Sequence, residues 1–276
     1  MSNKPAVGGL VVLGLLLLAA LAGPALAPYG ANEGDVLNAQ LLPPSGEHWF
    51  GTDDQGRDTF SRVLIASRVS VQVAVVSVAI ALVIGVPLGL VAGFYRRLDD
   101  PVMRVMDMLF AFPAILLAIA ILAVRGPGST NTMLAIGIVY VPIFARITRA
   151  SVLTVREQVY VRAARSLGAS DLRLLRLHVL PNVLGPILVQ TSLSLAFAIL
   201  TEAALSFVGL GVQPPNPSWG RLLFEGRGFV EIAWWMAVFP GLAILVTVLS
   251  FNLVGDALRD ALDPRQRSAI AARGVA

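Results

Sequence analysis

Residues 160–182 read Tyr160-Val161-Arg162-Ala163-Ala164-Arg165-Ser166-Leu167-Gly168-Ala169-Ser170-Asp171-Leu172-Arg173-Leu174-Leu175-Arg176-Leu177-His178-Val179-Leu180-Pro181-Asn182. The segment is polar and arginine-rich, yet it is set between two long apolar stretches. Helical spacing puts Tyr160, Ala163, Ala164 and Leu167 on one face and Arg162 and Arg165 on another. The paired alanines keep the first face low, so a second surface can approach closely. Gly168 suits a helix C-terminus or a tight corner. Ser170 suits the N-cap of a second short helix, with Asp171 favourable in its first turn. Arg173 and Arg176 share a face, and Pro181 opens the next long helix. The segment reads as helix, glycine break, helix, held at a membrane surface where a partner outside the bilayer can dock. An amphipathic inner loop lying on anionic lipid would have the same composition.

The flanking stretches decide the fold class. The chain is 56% hydrophobic and 14% charged over 276 residues, against about 25% charged for a soluble domain. Charge-free runs occupy 5–32, 69–95, 108–124, 126–145, 179–201 and 232–255. A span needs roughly 20 apolar residues. The sequence therefore predicts an all-α polytopic membrane protein with six transmembrane helices, of which 108–124 is the shortest. Ala25-Leu26-Ala27 resembles a signal cleavage site, but the apolar run exceeds the usual h-region of about 7–15 residues and its basic n-region is Lys4 alone. The first span is expected to stay.

Charge sets the orientation. With the N-terminus in the cytoplasm, fifteen of the 21 Lys and Arg residues fall inside and six outside. The positive-inside rule then places both termini in the cytoplasm. All four tryptophans, Trp49, Trp219, Trp234 and Trp235, land on the outer side, with Trp234 and Trp235 as an interfacial belt. Twenty arginines against one lysine carry no functional message, and no nucleic-acid partner is expected.

Residues 1–28 form a short cytoplasmic tail and the first span, and 29–68 an extracytoplasmic loop rich in turn formers, too long for a simple connector. Within it, Phe50-Gly51-Thr52-Asp53-Asp54-Gln55-Gly56-Arg57-Asp58 reads from composition as a solvated turn. It lacks the ligand series of a calcium loop. A five-helix core follows over 69–258, with the docking segment at 155–178 and a cytoplasmic tail over 259–276. Gly85, Gly89 and Gly93 make a flat face for close helix packing. Asp100-Pro101 reads as a helix start, Phe112-Pro113 as a bend, and Gly126-Pro127-Gly128 as an outer turn. An acid inside a span is a functional candidate by default. Glu202 therefore stands as part of the pathway or its outer gate, or as a hydrogen-bonding group between helices.

Several chemistries are excluded. There is no cysteine, no P-loop signature and no paired histidine motif, since His48 and His178 stand far apart. No covalent chemistry, cofactor or metal site is expected.

The stretch 160–181 resembles the cytoplasmic coupling motif of importer permeases of the ATP-binding cassette class. Ala163, Ala164, Gly168, Leu180 and Pro181 match, while Arg162 stands where the family carries Glu. The 50–58 segment, Ala169-Ser170-Asp171-Leu172-Arg173, Thr201-Glu202-Ala203-Ala204-Leu205-Ser206-Phe207, Gly209-Leu210-Gly211-Val212-Gln213-Pro214-Pro215 and Pro217-Ser218-Trp219-Gly220 are similar to the dipeptide/oligopeptide/nickel branch, most of all to its second permease. Asn252-Leu253-Val254-Gly255-Asp256 with Leu258-Arg259-Asp260 and Leu262-Asp263-Pro264 closes the pattern. The resemblance implies a type I importer permease fold and half of a translocation pathway for di- or oligopeptides, with nickel as the other cargo in the branch. It implies a homologous second permease, two cytoplasmic P-loop ATPases, an external binding protein and a lipid surround. It makes Tyr160, Arg162, Ala163, Ala164, Leu167, Gly168, Ala169, Ser170 and Asp171 the coupling residues, and places Glu202 and Phe207 by the pathway or gate. A self-sufficient secondary transporter would instead carry broken helices and midplane charges.

Overall fold

The computed structural model describes residues 4–262, so the expected tail is outside it from 263 onward. Ten helices follow in order: α1 Lys4–Leu26, α2 Thr59–Phe94, α3 Arg96–Phe110, α4 Ala114–Arg125, α5 Ser129–Arg156, α6 Val159–Ser166, α7 Asp171–Leu174, α8 Leu180–Phe207, α9 Trp219–Gly226 and α10 Trp235–Leu262. A π-helical turn, Leu175–Val179, makes α7 and α8 one continuous rod. Among the described residues there is no strand, only the isolated bridges Gly34–Arg57 and Thr52–Asp58.

Five helices are long and apolar enough to cross a membrane. The sixth candidate is α3 with α4, two helices bent by 86° across Ala111–Pro113. The expected third span and its bend at Phe112-Pro113 correspond to this pair, which makes a sixth span if the two helices are taken together. Pro113 cannot donate a backbone hydrogen bond and disfavours helix at Phe112. The 12 residues of α4 reach about 18 Å, short of a full crossing, while α3 is amphipathic. The expected helix start at Asp100-Pro101 is corrected. α3 begins at Arg96, and Pro101 sits inside it on the exposed side. Bidentate Arg149 holds Asp99, with Nη2 to Oδ2 at 2.7 Å, and Arg146 holds Asp107 at 2.6 Å, so α3 is tied to α5.

α2 begins at Thr59, inside the stretch read as loop. Asp58 caps it, accepting from the Ser61 N–H at 2.7 Å. Arg62, which lies before the charge-free run that Arg68 bounds in sequence, is paired inside the protein. The core lies between α2 and α5. Gly85, Gly89 and Gly93 face α5, as the stripe suggested. A Cβ at Gly85 would lie 2.7 Å from the Val141 carbonyl oxygen, and one at Gly93 2.7 Å from the Val152 Cβ. Helix α1 is mostly exposed and is seated by two glycines, Gly9 against Leu253 and Ser250, and Gly23 against the Leu64 carbonyl.

Candidate functional site

The hairpin starts where α5 outruns its apolar stretch. Arg156 reaches back to the Gly93 carbonyl at 2.7 Å, closing the end of α2. Val161 is 1% exposed and pegs α6 into the core. The helix ends in a Schellman motif: the Ala169 N–H bonds the Ala164 carbonyl and the Gly168 N–H bonds the Arg165 carbonyl. Gly168 has φ +83°, a left-handed conformation that glycine adopts freely. The motif brings Ala164 and Ala169 together against the core. Of the face expected from spacing, Tyr160, Ala163 and Leu167 are open, and Ala164 is tucked halfway in.

Ser170 occupies the N-cap of α7 with extended backbone, but its side chain makes no capping bond there. Beyond it the helix does not stop at the proline. Pro181 has no N–H to give to Leu177, and the wide turn before it, closed by Leu180 N–H to the Leu175 carbonyl, lets the rod run on. Val159, Tyr160, Leu167 and Leu172 are left uncovered, Leu167 being 89% exposed. Arg165 turns back over the Phe94 ring at 5.2 Å. Arg162 is exposed and its side chain has no partner among the described residues.

Toward the far end of α8, about 33 Å from Leu180 by helix rise, Glu202 is fully buried. It accepts from Ser206 at 2.7 Å and Ser218 at 2.8 Å, with Ser70 at 3.5 Å. Those serines in turn serve backbone donors: Ser206 that of Val212, Ser218 that of Arg221, and Ser70 that of Trp219. One carboxylate, closed off from solvent, thereby joins α2, α8 and the loop that enters α9. Phe207 ends α8, partly open, with its carbonyl 3.3 Å from Arg227. The two candidate groups, hairpin and carboxylate, are not brought together.

Sequence reading missed a second buried cluster. Asp53 is 2% exposed and binds Arg57 at 2.7 Å and Arg62, while Glu225 binds Arg62 at 2.9 Å and Arg221 at 2.9 Å. The solvated-turn reading of 50–58 is therefore corrected: Asp53 faces inward because Arg57 and Arg62 pair with it, and α9 brings Glu225 to the same two arginines from far along the chain. The spacing Asp53 to Arg57 was the visible signal. His48 also lies inside, its Nδ1 2.9 Å from Asp58. Trp235, expected in the belt, is a buried anchor instead, and Trp219 is another. Trp219 is 1% exposed and donates to the Val63 carbonyl, and Trp235 donates to that of Thr52. Among the described residues no group of three His, Cys, Asp or Glu could hold a metal.

Long apolar helices around a glycine-packed pair, with a projecting hairpin, define a multi-pass membrane subunit. Residues 85–268 match the family described as binding-protein-dependent transport system inner membrane component, and residues 1–44 match the N-terminal transmembrane domain of oligopeptide transport permease C. The chain belongs to that transport family and is a multi-pass inner-membrane permease. It is 46% identical over 96% of its length to the dipeptide transport system permease DppC of Alkalihalophilus pseudofirmus, covering 88% of that protein. It is 47% identical over 97% to the di/tripeptide permease DppC of Pseudomonas aeruginosa, covering 90% of it. The glutathione permease GsiD of Pectobacterium atrosepticum is 46% identical over 94% of this chain and 86% of its own. In fold, the chain is similar to an inward-facing MetNI methionine transporter chain, with TM-score 0.62, 17% identity and coverage of 73% of this chain and 96% of that one. The fold is that of type I ATP-binding cassette importer permeases.

Proposed function

We propose that this chain forms half of the translocation pathway of an ATP-driven importer for di- or oligopeptides. The hairpin of α6 and α7 is its coupling element, seated in a groove on a cytoplasmic ATPase. The observation that carries this is the exposed apolar edge at Tyr160, Leu167 and Leu172, pegged by Val161 and stiffened by the Gly168 corner. A second protein lying on this edge gives it the apolar cover that a stiff, projecting hairpin calls for. The hairpin end is then cytoplasmic, as are both termini, and the end carrying α9 and the 27–58 loop faces outward, where a binding protein delivers cargo. This agrees with the excess of arginine at the hairpin end. A homologous second permease completes the pathway, and two P-loop ATPases supply the energy. The peptide cargo follows the relatives' names. Glu202 is assigned to fixing the outer cap, and through it the gate, rather than to touching cargo.

Purification of the tagged chain from native membranes in mild detergent, with mass spectrometry of what accompanies it, tests the reading. A second permease with P-loop ATPases is expected. A chain that comes alone, where other complexes survive, overturns the importer and returns the secondary transporter.

A further inference from the structure

A cavity of about 390 Å³ opens at the loop end between α1, α2, α5 and the 212–217 loop, and its polar lining is Arg68, Gln72, Ser129, Thr130 and Asn216. Three properties of it converge. Arg68 is exposed and has no hydrogen-bond or ion-pair partner among the described residues, unlike Arg57, Arg62 and Arg221 nearby in the fold. No carboxylate lines the space. The 28-residue α5 begins at its wall behind Gly128, with no side chain capping it, so the positive end of its dipole faces the same volume. An unpaired guanidinium in a pocket otherwise built of amides and hydroxyls is arranged for an oxyanion with hydroxyls of its own.

What lies beneath selects the ligand. Arg68 and Gln72 head a stripe along α2 that continues through Val75, Ala79 and Val83, spaced three or four residues apart and all exposed. In a bilayer such an apolar stripe faces acyl chains. A free anion would leave it uninvolved, whereas a phospholipid would fill the cavity with its headgroup and cover the stripe with its tails. The ammonium of a zwitterionic lipid would find no carboxylate in the lining. We propose that this cavity is a binding site for the phosphate of an anionic phospholipid, with Arg68 as its charge partner and Gln72, Ser129, Thr130 and Asn216 as hydrogen-bond partners of the headgroup. The bound lipid would bridge the ends of α1 and α5. The inference uses the membrane placement of the chain and is independent of cargo and coupling.

The test is lipid titration of the intact purified complex, delipidated and read by native mass spectrometry and by thermal unfolding. Phosphatidylglycerol, phosphatidylcholine of the same chain length, and inorganic phosphate are the probes. Arg68 is exposed and unpaired, so Arg68→Gln leaves the fold intact, and Arg104→Gln on exposed α3 serves as the charge control. Loss of one charge-assisted contact to phosphate predicts at least about tenfold weaker phosphatidylglycerol binding in Arg68→Gln, with Arg104→Gln unchanged and phosphatidylcholine weak on wild type. Equal binding by Arg68→Gln and wild type overturns the site. Equal binding of phosphatidylcholine overturns the anionic headgroup. Saturation by inorganic phosphate alone assigns the cavity to a free anion, and displacement of the lipid by a peptide assigns it to cargo. Either result also overturns the proposal.

Discussion

Glu202 ties three segments together, because a serine from each converges on it and each of those serines satisfies a backbone donor elsewhere. Glu202→Leu strands those hydroxyls in a buried site, where each unsatisfied group costs about 1–3 kcal/mol. Glu202→Gln keeps an acceptor, and serine hydroxyls can rotate to accept from the new amide. The expected order of thermal stability in detergent is wild type, then Glu202→Gln close behind, then Glu202→Leu far below, with Trp219 fluorescence as the readout. Asp54 behaves oppositely. Burial, then the charge of Asp53, pushes its carboxyl above the usual range, with Glu225 adding to this and Arg57 opposing it. A raised folded value means its contribution to stability is present below the unfolded value and is lost as pH rises through the folded one. Asp54→Asn should therefore raise stability at neutral pH and flatten its decline between acid and neutral pH. An unchanged melting profile across that range would remove this account of Asp54.

Between elements the governing contact is α2 on α5. At Gly85 a Cβ would meet backbone at 2.7 Å, so Gly85→Leu must push the helices apart, at a cost of about 1–3 kcal/mol or more. Gly14 on α1 has nothing within 4 Å of such a Cβ, so Gly14→Leu should be silent. Cysteines engineered across the α2–α5 seam should cross-link in wild type and Gly14→Leu but poorly in Gly85→Leu. This seam was legible in the sequence, since three glycines at a spacing of four admit a close helix face. So was the helix–glycine–helix hairpin, because Gly168 and the alternation of Arg with small residues are local signals. The early start of α2 was not legible. Arg68 bounds the charge-free run, and Arg62 before it looks too polar for a helix entering the bundle until Asp53 and Glu225 are known to neutralise it; Glu225 lies 163 residues away. The 86° turn at Phe112-Pro113 was visible as a bend but not in size, which depends on the ties from Arg146 and Arg149 that draw α3 onto α5. Ser170 shows the opposite limit: the cap position was right, and its side chain is unused there.

For the whole molecule, coupling is best probed at Ala163. A charge at Ala164 would disturb the hairpin's own packing, since that residue rests against the core, whereas Ala163 is open. Ala163→Glu should leave the melting temperature and membrane level unchanged and lower ATP-driven peptide uptake about tenfold or more, because an unpaired carboxylate enclosed at an interface costs several kcal/mol. Undiminished uptake would sink the docking role of that face. The glycine seam carries a last consequence, for synthesis. α2 leaves the ribosome before α5, and the intervening α3–α4 elbow must be placed before the two can meet. Until then the flat, small-residue side of α2 lies against fatty acyl tails that fit it poorly. A chain halted before Ser129 presents that bare seam to any quality-control protease that patrols the bilayer. The feature that makes the finished bundle tight thus leaves an unfinished one with its least lipid-compatible side bare.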